Sequence, residues 1–483
     1  SINHCMSLRK AAIKGGSWTM LGAVITAIIQ ILRPTILTRF LEKSDFGLMA
    51  ILMVVLGFTN IFSDLGVSVA LFSEKKISKR EYSSLYWMSL ILALILYLLL
   101  FLITPLIASF YHLSELNTLI PLIGIELIIS IAGRQFQIFK QKELNFRQLA
   151  IIDIIYALVS IASAVILAYL NYGVLSLVYS SLLGAALRTF LLISLGWKSH
   201  PLSFCLDLKA NKRFYKVGIF QTGSQVLDYI ATQIDVIIIG KFFSVSELGG
   251  YNLIKQLIIR PYGILNSVIT KVSIPVLASI NDQLDRLKEK YLEMLKMVSF
   301  LNVILYSLIA IFAQEIIIIL YGENYLDNKI FLQILCFWGI AASINNAAGS
   351  LIIILGKTRR DFIWSAIRFL TNPIAIIAGA TFSLLAMVWA NSIYGLVTLI
   401  IYFYVIVKPI LKIISFKDYT NTFINFILPA LIMVGGLIYI KDVLLSTGNI
   451  MIHLIIFSLL YLTLYLGIHF KFTRNLLSFI KGK

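Results

Sequence analysis

Charged and amide side chains recur inside long apolar runs of this sequence. Arg33, Lys255 and Arg260 are basic, Asp64, Asp228 and Asp235 are acidic, and Gln30, Gln225 and Gln256 are neutral amides. An arginine in apolar surroundings attracts an anion, and its planar fork can bond two oxygens of one phosphate. A lysine adds a point charge to such a site. An aspartate beside these bases either neutralises them while the site is empty or binds a coupling cation. The expected site is therefore an anion-binding cavity. Gln30, Arg33, Gln225, Lys255, Gln256 and Arg260 would meet the substrate, and Asp64, Asp228 and Asp235 would serve coupling or ion pairing.

Spacing supports a shared face. Thr19, Thr26, Gln30 and Arg33 fall within one narrow arc of a helix with about 3.6 residues per turn. Gln221, Gln225, Asp228, Thr232 and Asp235 do the same further along. Asn60, Asp64 and Ser68 form a similar face, as do Asn252, Gln256 and Arg260. Lipid does not tolerate such stripes, so they must face protein or a water-filled cavity. Arg33 and Asp235 are expected to approach one another across a pseudo-symmetry axis. Other charges in apolar runs have plainer readings. Lys216, Lys271 and Lys296 lie near helix ends and can extend to the interface. Glu126, Ser130 and Arg134 share one helix and read as a structural polar network.

These residues sit in elements that only a membrane can hold. The chain has 483 residues, 59% hydrophobic and 13% charged, against about 25% charged in an ordinary soluble chain. So few charges cannot cover a water-exposed surface of this size. A span needs about 20 apolar residues. Runs of that order occur near 16–38, 46–72, 85–110, 116–137, 149–170 and 173–196, and again near 214–240, 248–280, 292–320, 330–355, 362–380, 383–407, 422–440 and 449–470. The fold class is an all-α polytopic membrane protein of about fourteen transmembrane helices, in two six-helix pseudo-symmetric lobes plus a C-terminal pair. The expected division is an N-lobe over 1–196, a cytoplasmic linker over 197–213, a C-lobe over 214–407, and a terminal pair with a cytoplasmic tail over 408–483.

Basic residues orient the chain. With the N-terminus in the cytoplasm, inside segments hold 27 of the 41 lysines and arginines, and outside segments hold only Arg39, Lys43, Lys241, Lys329 and Lys441. This follows the positive-inside rule and places both termini in the cytoplasm. The net charge of +18 is then a topology signal, and no nucleic-acid partner is expected. No cleavable signal peptide is visible, and Met6 is a candidate natural start.

An internal repeat supports the two-lobe reading. Arg39-Phe40-Leu41-Glu42-Lys43-Ser44-Asp45-Phe46-Gly47 and Lys241-Phe242-Phe243-Ser244-Val245-Ser246-Glu247-Leu248-Gly249 share the pattern basic-Phe-apolar-x-x-Ser-acidic-apolar-Gly. Positions 39 and 241 differ by 202. The same offset carries Thr19 to Gln221, Thr26 to Asp228, Gln30 to Thr232 and Arg33 to Asp235. Duplicated halves are common in transporters.

Several chemistries find no support. Cys5, Cys205 and Cys336 are far apart and form no CxxC pair, and the five histidines are scattered. No disulfide framework, metal site or cofactor is expected. Gly356-Lys357-Thr358 looks like the end of a phosphate-binding loop, but the first glycine of that motif would fall on Leu351. No Ser-His-Asp set is evident, and the outer loops are short. The chain is not expected to be an enzyme.

The residues also resemble a known family, the polysaccharide and O-antigen flippases of the multidrug/oligosaccharidyl-lipid/polysaccharide (MOP) superfamily, in the branch of the colanic-acid exporter. The resemblance rests on Met6-Ser7-Leu8-Arg9-Lys10, Asp45-Phe46-Gly47, Ser63-Asp64-Leu65-Gly66, Leu85-Tyr86-Trp87 and Arg134-Gln135-Phe136. It continues through Gln141-Lys142-Glu143-Leu144-Asn145-Phe146, Ile239-Gly240-Lys241-Phe242, Leu248-Gly249-Gly250-Tyr251 and Leu332-Gln333-Ile334-Leu335-Cys336. Asp235 matches the family pattern, whereas Arg33 and Asp228 rest on their helix positions. The resemblance implies alternating access in the bacterial cytoplasmic (inner) membrane. Its substrate would be an oligosaccharide repeat unit on undecaprenyl pyrophosphate, moved from inner to outer leaflet. Expected partners are that lipid-linked oligosaccharide, membrane lipids, a coupling cation (H+ or Na+) and the polysaccharide polymerase machinery. A cation-coupled multidrug exporter of the same superfamily would have twelve spans and an acidic cavity. A membrane enzyme of polysaccharide assembly would have long outer loops.

Overall fold

The computed structural model describes residues 21–64, 71, 77–444 and 450–474, and the side chains of all of these except 64, 208–221, 268, 271, 272, 353, 358, 442–444 and 450–454. Met6 to Lys10, Thr19, Leu65, Gly66 and Ser68 lie outside the described residues, as do the side chains of Asp64, Lys216, Gln221 and Lys271.

The protein is an all-α polytopic membrane protein. Its long helices are α1 (Leu21–Leu37), α2 (Lys43–Asp64), α3 (Lys79–Tyr111), α4 (Leu116–Lys142), α5 (Phe146–Tyr169), α6 (Val174–Gly196) and α7 (Leu208–Phe242). They continue as α8 (Val245–Ser279), α9 (Leu284–Ile311), α10 (Lys329–Ala348), α11 (Thr358–Ala380), α12 (Leu384–Tyr402), α13 (Ile424–Leu444) and α14 (Ile450–Ile468). Among the described residues, 10 helices are long and apolar enough to cross a membrane, namely α2–α6 and α9–α13 with their immediate extensions. The described parts of α1 and α14 are shorter apolar stretches. Helices α7 and α8 have 35 residues each and carry Asp228, Asp235, Lys255 and Arg260 along their length.

Two compact units divide the chain at Leu253/Ile254. In the first, α3 packs on α4, α4 on α6, and α6 on α5. In the second, α9 packs on α10, α10 on α12, and α12 on α11. Adding six to each helix number carries the first set onto the second, so the duplication seen in sequence is a duplication of packing.

The nine-residue repeat has a physical job. In its first copy the Glu42 backbone N–H donates to Asp45 Oδ2 at 3.0 Å, just before α2 begins at Lys43. In its second copy the Ser244 N–H donates to Glu247 Oε2 at 2.9 Å, just before α8 begins at Val245. Each acidic residue thus caps a helix start, where backbone N–H groups lack partners. The glycines bring the two copies together. A β-carbon at Gly47 would run into the Val245 carbonyl oxygen, and one at Gly249 into that of Lys43. The 202-residue offset sends Lys43 to Val245 and Gly47 to Gly249, so the two clashes are symmetry mates. Only hydrogen fits at either position, and α2 and α8 therefore cross backbone to backbone at their first turns.

Residues 197–207 run as a strap along the start of α3. Tyr82 Oη donates to the Pro201 carbonyl at 2.7 Å, Trp87 Nε1 donates to Ser203 O at 3.1 Å, and the Asp207 N–H donates to Ser84 Oγ at 2.7 Å. Arg80 pairs with Asp207 at 3.1 Å. His200 stacks on Phe139, with ring centroids 4.1 Å apart and planes at 4°. Burial lowers its pKa, Glu143 opposes that shift, and Lys140 adds to it.

Lys441, placed in an outer segment by sequence, is buried in the last turn of α13. Its Nζ donates to Ile311 O at 2.6 Å and to Glu315 Oε2 at 2.9 Å. This pair ties α13 to the end of α9 and to the short helix Ala313–Leu320 that follows it. A buried pair needs such additional bonds to offset desolvation.

Two outcomes are expected. Gly249→Ala should lower the detergent-solubilised melting temperature by an amount equivalent to about 1–3 kcal/mol of overpacking. Gly223→Ala, with nothing within 4 Å of the added carbon, should leave it unchanged. The second outcome concerns pH. A histidine with a depressed folded pKa binds its proton preferentially in the released strap. Its contribution is therefore full above the ordinary histidine pKa of about 6.5 and is lost as pH falls through the depressed value. Limited proteolysis should cut the 197–207 strap faster at pH 5 than at pH 7.5, and His200→Phe should flatten that difference.

Candidate functional site

The first unit holds a polar network built around α6. This helix presents small residues Ser176, Ser180, Ser181, Gly184 and Ala185 at helical spacing, all buried or closely packed. Small residues let neighbouring helices approach and let hydroxyls bond across the gap. Arg33 of α1 is half-buried, and its Nη2 donates to Ser180 Oγ at 2.8 Å. The adjacent Ser181 Oγ donates to Glu126 Oε2 of α4 at 2.5 Å. Glu126 and Tyr156 of α5 lie within electrostatic reach of Arg33. Tyr156 packs against Gly184, where a β-carbon would sit 2.8 Å from its ring. One turn on, Arg188 Nε meets Asp153 Oδ1 at 3.0 Å.

Glu126 and Arg134, read from sequence as one network on α4, each have a partner of their own. Arg134 Nη1 makes a long 3.5 Å contact with Ser63 Oγ of α2, while Glu126 takes Ser181. Arg33 and Asp235, expected to approach one another, likewise turn to different helices. Asp235 is buried on α7, accepts the Tyr251 hydroxyl of α8 at 2.6 Å, and accepts its own neighbour's N–H from Val236 at 2.9 Å. Asp228 is half-buried about two turns earlier, and its carbonyl accepts from Thr232 at 2.9 Å. Between them Tyr229 crosses to α2, donating to Val54 O at 2.9 Å beside Gly57. Gln30 and Gln225 are exposed side chains on α1 and α7. Asp64 ends α2.

In the second unit Lys255 is buried on α8, with Gln256 and Arg260 half-buried beside it. Further along α8, Asn266 Nδ2 donates to Ser343 O at 2.7 Å and Asn302 Nδ2 donates to Asn266 Oδ1 at 3.2 Å. Among the described residues no three His, Cys, Asp or Glu side chains are grouped as metal ligands.

Sequence reading missed the partners. Ser180 and Ser181 carried a signal, since two adjacent serines interrupt an apolar run with Gly184 one turn on. Tyr251 carried none, because a tyrosine in a span is most often apolar filling.

Four likenesses to known proteins bear on the chain. The family described as polysaccharide biosynthesis protein matches residues 36–329. The Escherichia coli lipopolysaccharide biosynthesis protein WzxC is 25% identical over 86% of this chain and 84% of its own length. The Bacillus subtilis teichuronic acid biosynthesis protein TuaB is 28% identical over 82% of each chain. A solved structure of the lipid II flippase MurJ superposes with a TM-score of 0.76, covering 95% of this chain and 99% of that one at 18% identity. At that identity the superposition establishes a shared fold.

Tyr251→Phe should leave the Asp235 carboxylate short of a buried donor, at a cost of about 1–3 kcal/mol. A thermal melt of the purified protein, compared with wild type, measures it.

Proposed function

The chain belongs to the polysaccharide biosynthesis protein family, and from that premise we propose that it is a flippase for lipid-linked polysaccharide units. The observation that carries this reading is the family match over residues 36–329, which runs from the end of α1 to the start of α10 and includes α7 and α8. The relatives are named for lipopolysaccharide and teichuronic acid biosynthesis. The lipid II flippase MurJ, with the same fold, is named for moving a lipid-linked precursor.

The finer reading follows from the charges. The substrate is an oligosaccharide on undecaprenyl pyrophosphate, moved from the inner to the outer leaflet of the bacterial cytoplasmic membrane. Arg33 in the first unit, and Lys255 and Arg260 in the second, supply the positive charge that its pyrophosphate requires. Gln30, Gln225 and Gln256 supply neutral donors and acceptors for sugar hydroxyls. Asp64, Asp228 and Asp235 hold charge balance or a coupling cation. The chain crosses the membrane fourteen times with both termini in the cytoplasm. Residues 1–196 and 214–407 act as the two lobes of alternating access, with 197–213 joining them and 408–483 adding the last pair. Alternating access needs a site open to one face at a time, and internal repeats commonly provide it. The polymerase that consumes the product is an expected neighbour.

Reconstitution tests the proposal. Vesicles containing the protein should carry undecaprenyl-pyrophosphate-linked oligosaccharide to the opposite leaflet, where an added lectin or glycosidase reaches it. Transfer no faster than in protein-free vesicles would overturn the proposal. Arg260→Gln should slow transfer by at least about tenfold, the worth of one charge-assisted phosphate contact, with little change in melting temperature.

A further inference from the structure

In the first unit Arg33 lies within electrostatic reach of a rival for the anion it is proposed to bind. Its guanidinium rests on Ser180 at 2.8 Å, and the next residue, Ser181, fixes the Glu126 carboxylate at 2.5 Å. Two adjacent hydroxyls of α6 thus fix a positive and a negative group, from α1 and α4, within electrostatic reach of each other. The other charges around Glu126 are otherwise engaged. Asp153 of α5 and Arg188 of α6 pair with each other at 3.0 Å, and Arg134 of α4 extends to Ser63 of α2. Tyr156 of α5 faces both Arg33 and Glu126, and Tyr97 of α3 packs on Gly124 one half-turn away. Arg33 is the basic group that faces Glu126 from α1.

We infer that Glu126 is a positioning residue that competes with the anionic group of the substrate for Arg33, so that anion binding at Arg33 and proton uptake at Glu126 favour one another. The inference rests on the flippase reading and on Arg33 as an anion ligand. The physical basis is charge balance in a site with little water. While Arg33 faces Glu126, the pair is neutral. When Arg33 turns to a phosphate oxygen, the carboxylate loses its positive neighbour and is neutralised most readily by a proton from water at the open face. No bond other than this O–H forms. The proton leaves again when Arg33 returns. Because the two equilibria are linked, the effect is reciprocal: a protonated or neutral residue at 126 leaves Arg33 free for the anion. Both side chains are partly buried.

The test measures the dissociation constant of undecaprenyl pyrophosphate for the purified full chain between pH 5 and pH 8. Wild type should bind more tightly as pH falls. Glu126→Gln should bind at least about fivefold more tightly than wild type at pH 8, within the usual range of coupling between two sites, and should lose the pH dependence that wild type adds to the ligand's own titration. Glu126→Asp should restore it. Ser181→Ala keeps the charge but removes its hydrogen bond, so it should move the midpoint to higher pH, and it serves if Glu126→Gln does not fold. Equal affinities and equal pH slopes for wild type, Glu126→Gln and Ser181→Ala would overturn the role of Glu126 alone. No binding by any of them at any pH would overturn the flippase reading instead.

Discussion

A charged side chain inside a span costs roughly 2.5–3.5 kcal/mol on insertion scales, and only another helix can offset that cost. Much of this fold's polar architecture follows from that constraint. Arg33 is met by Ser180, Glu126 by Ser181, Asp235 by Tyr251 and Lys441 by Glu315. Every one of these bonds joins two different helices, so each fixes a helix pair as well as satisfying a group. The residues beside these bonds are small for the same reason. Gly184 lets Tyr156 close on α6, and Gly57 lets Tyr229 reach the α2 backbone. In water such bonds would be optional; within the hydrocarbon they decide which helices touch.

The duplication places those pairs. Capping carboxylates at Asp45 and Glu247 start α2 and α8 at equivalent positions, and Gly47 and Gly249 let the two starts cross at backbone distance. The helix packing then repeats with a period of six helices. A duplicated scaffold does not require duplicated chemistry, and here the chemistry differs between copies. Arg33 and Asp235 occupy equivalent positions with opposite charge. One turns to α6 and the other to α8.

Much of this was legible in the sequence. Apolar runs gave the multi-pass helical character, because the cost of placing a residue in hydrocarbon is additive along the chain and needs no knowledge of neighbours. The nine-residue repeat was legible because a helix cap and a glycine crossing are local requirements. Polar stripes on α1 and α7 are read from helical periodicity alone. Lys441 is the instructive exception. Its charge was read as a loop signal, yet it is buried at a helix end beside Glu315, 126 positions away.

The sequence by itself thus determined that this is a membrane-embedded helical transporter of the polysaccharide family, which of its helices carry polar faces, and that it is built twice from one plan. Only the tertiary structure decided who faces whom. Arg33 and Ser180 are 147 positions apart, and Glu126 and Ser181 are 55 apart. Periodicity says which way a side chain points around its own helix, but the azimuth and depth of the neighbouring helix are set by close packing of many small and apolar residues at once. A partner chosen by that packing leaves no mark in the local pattern of either residue, and so the Arg33–Ser180 and Glu126–Ser181 contacts emerge only when α1, α4 and α6 are seen together.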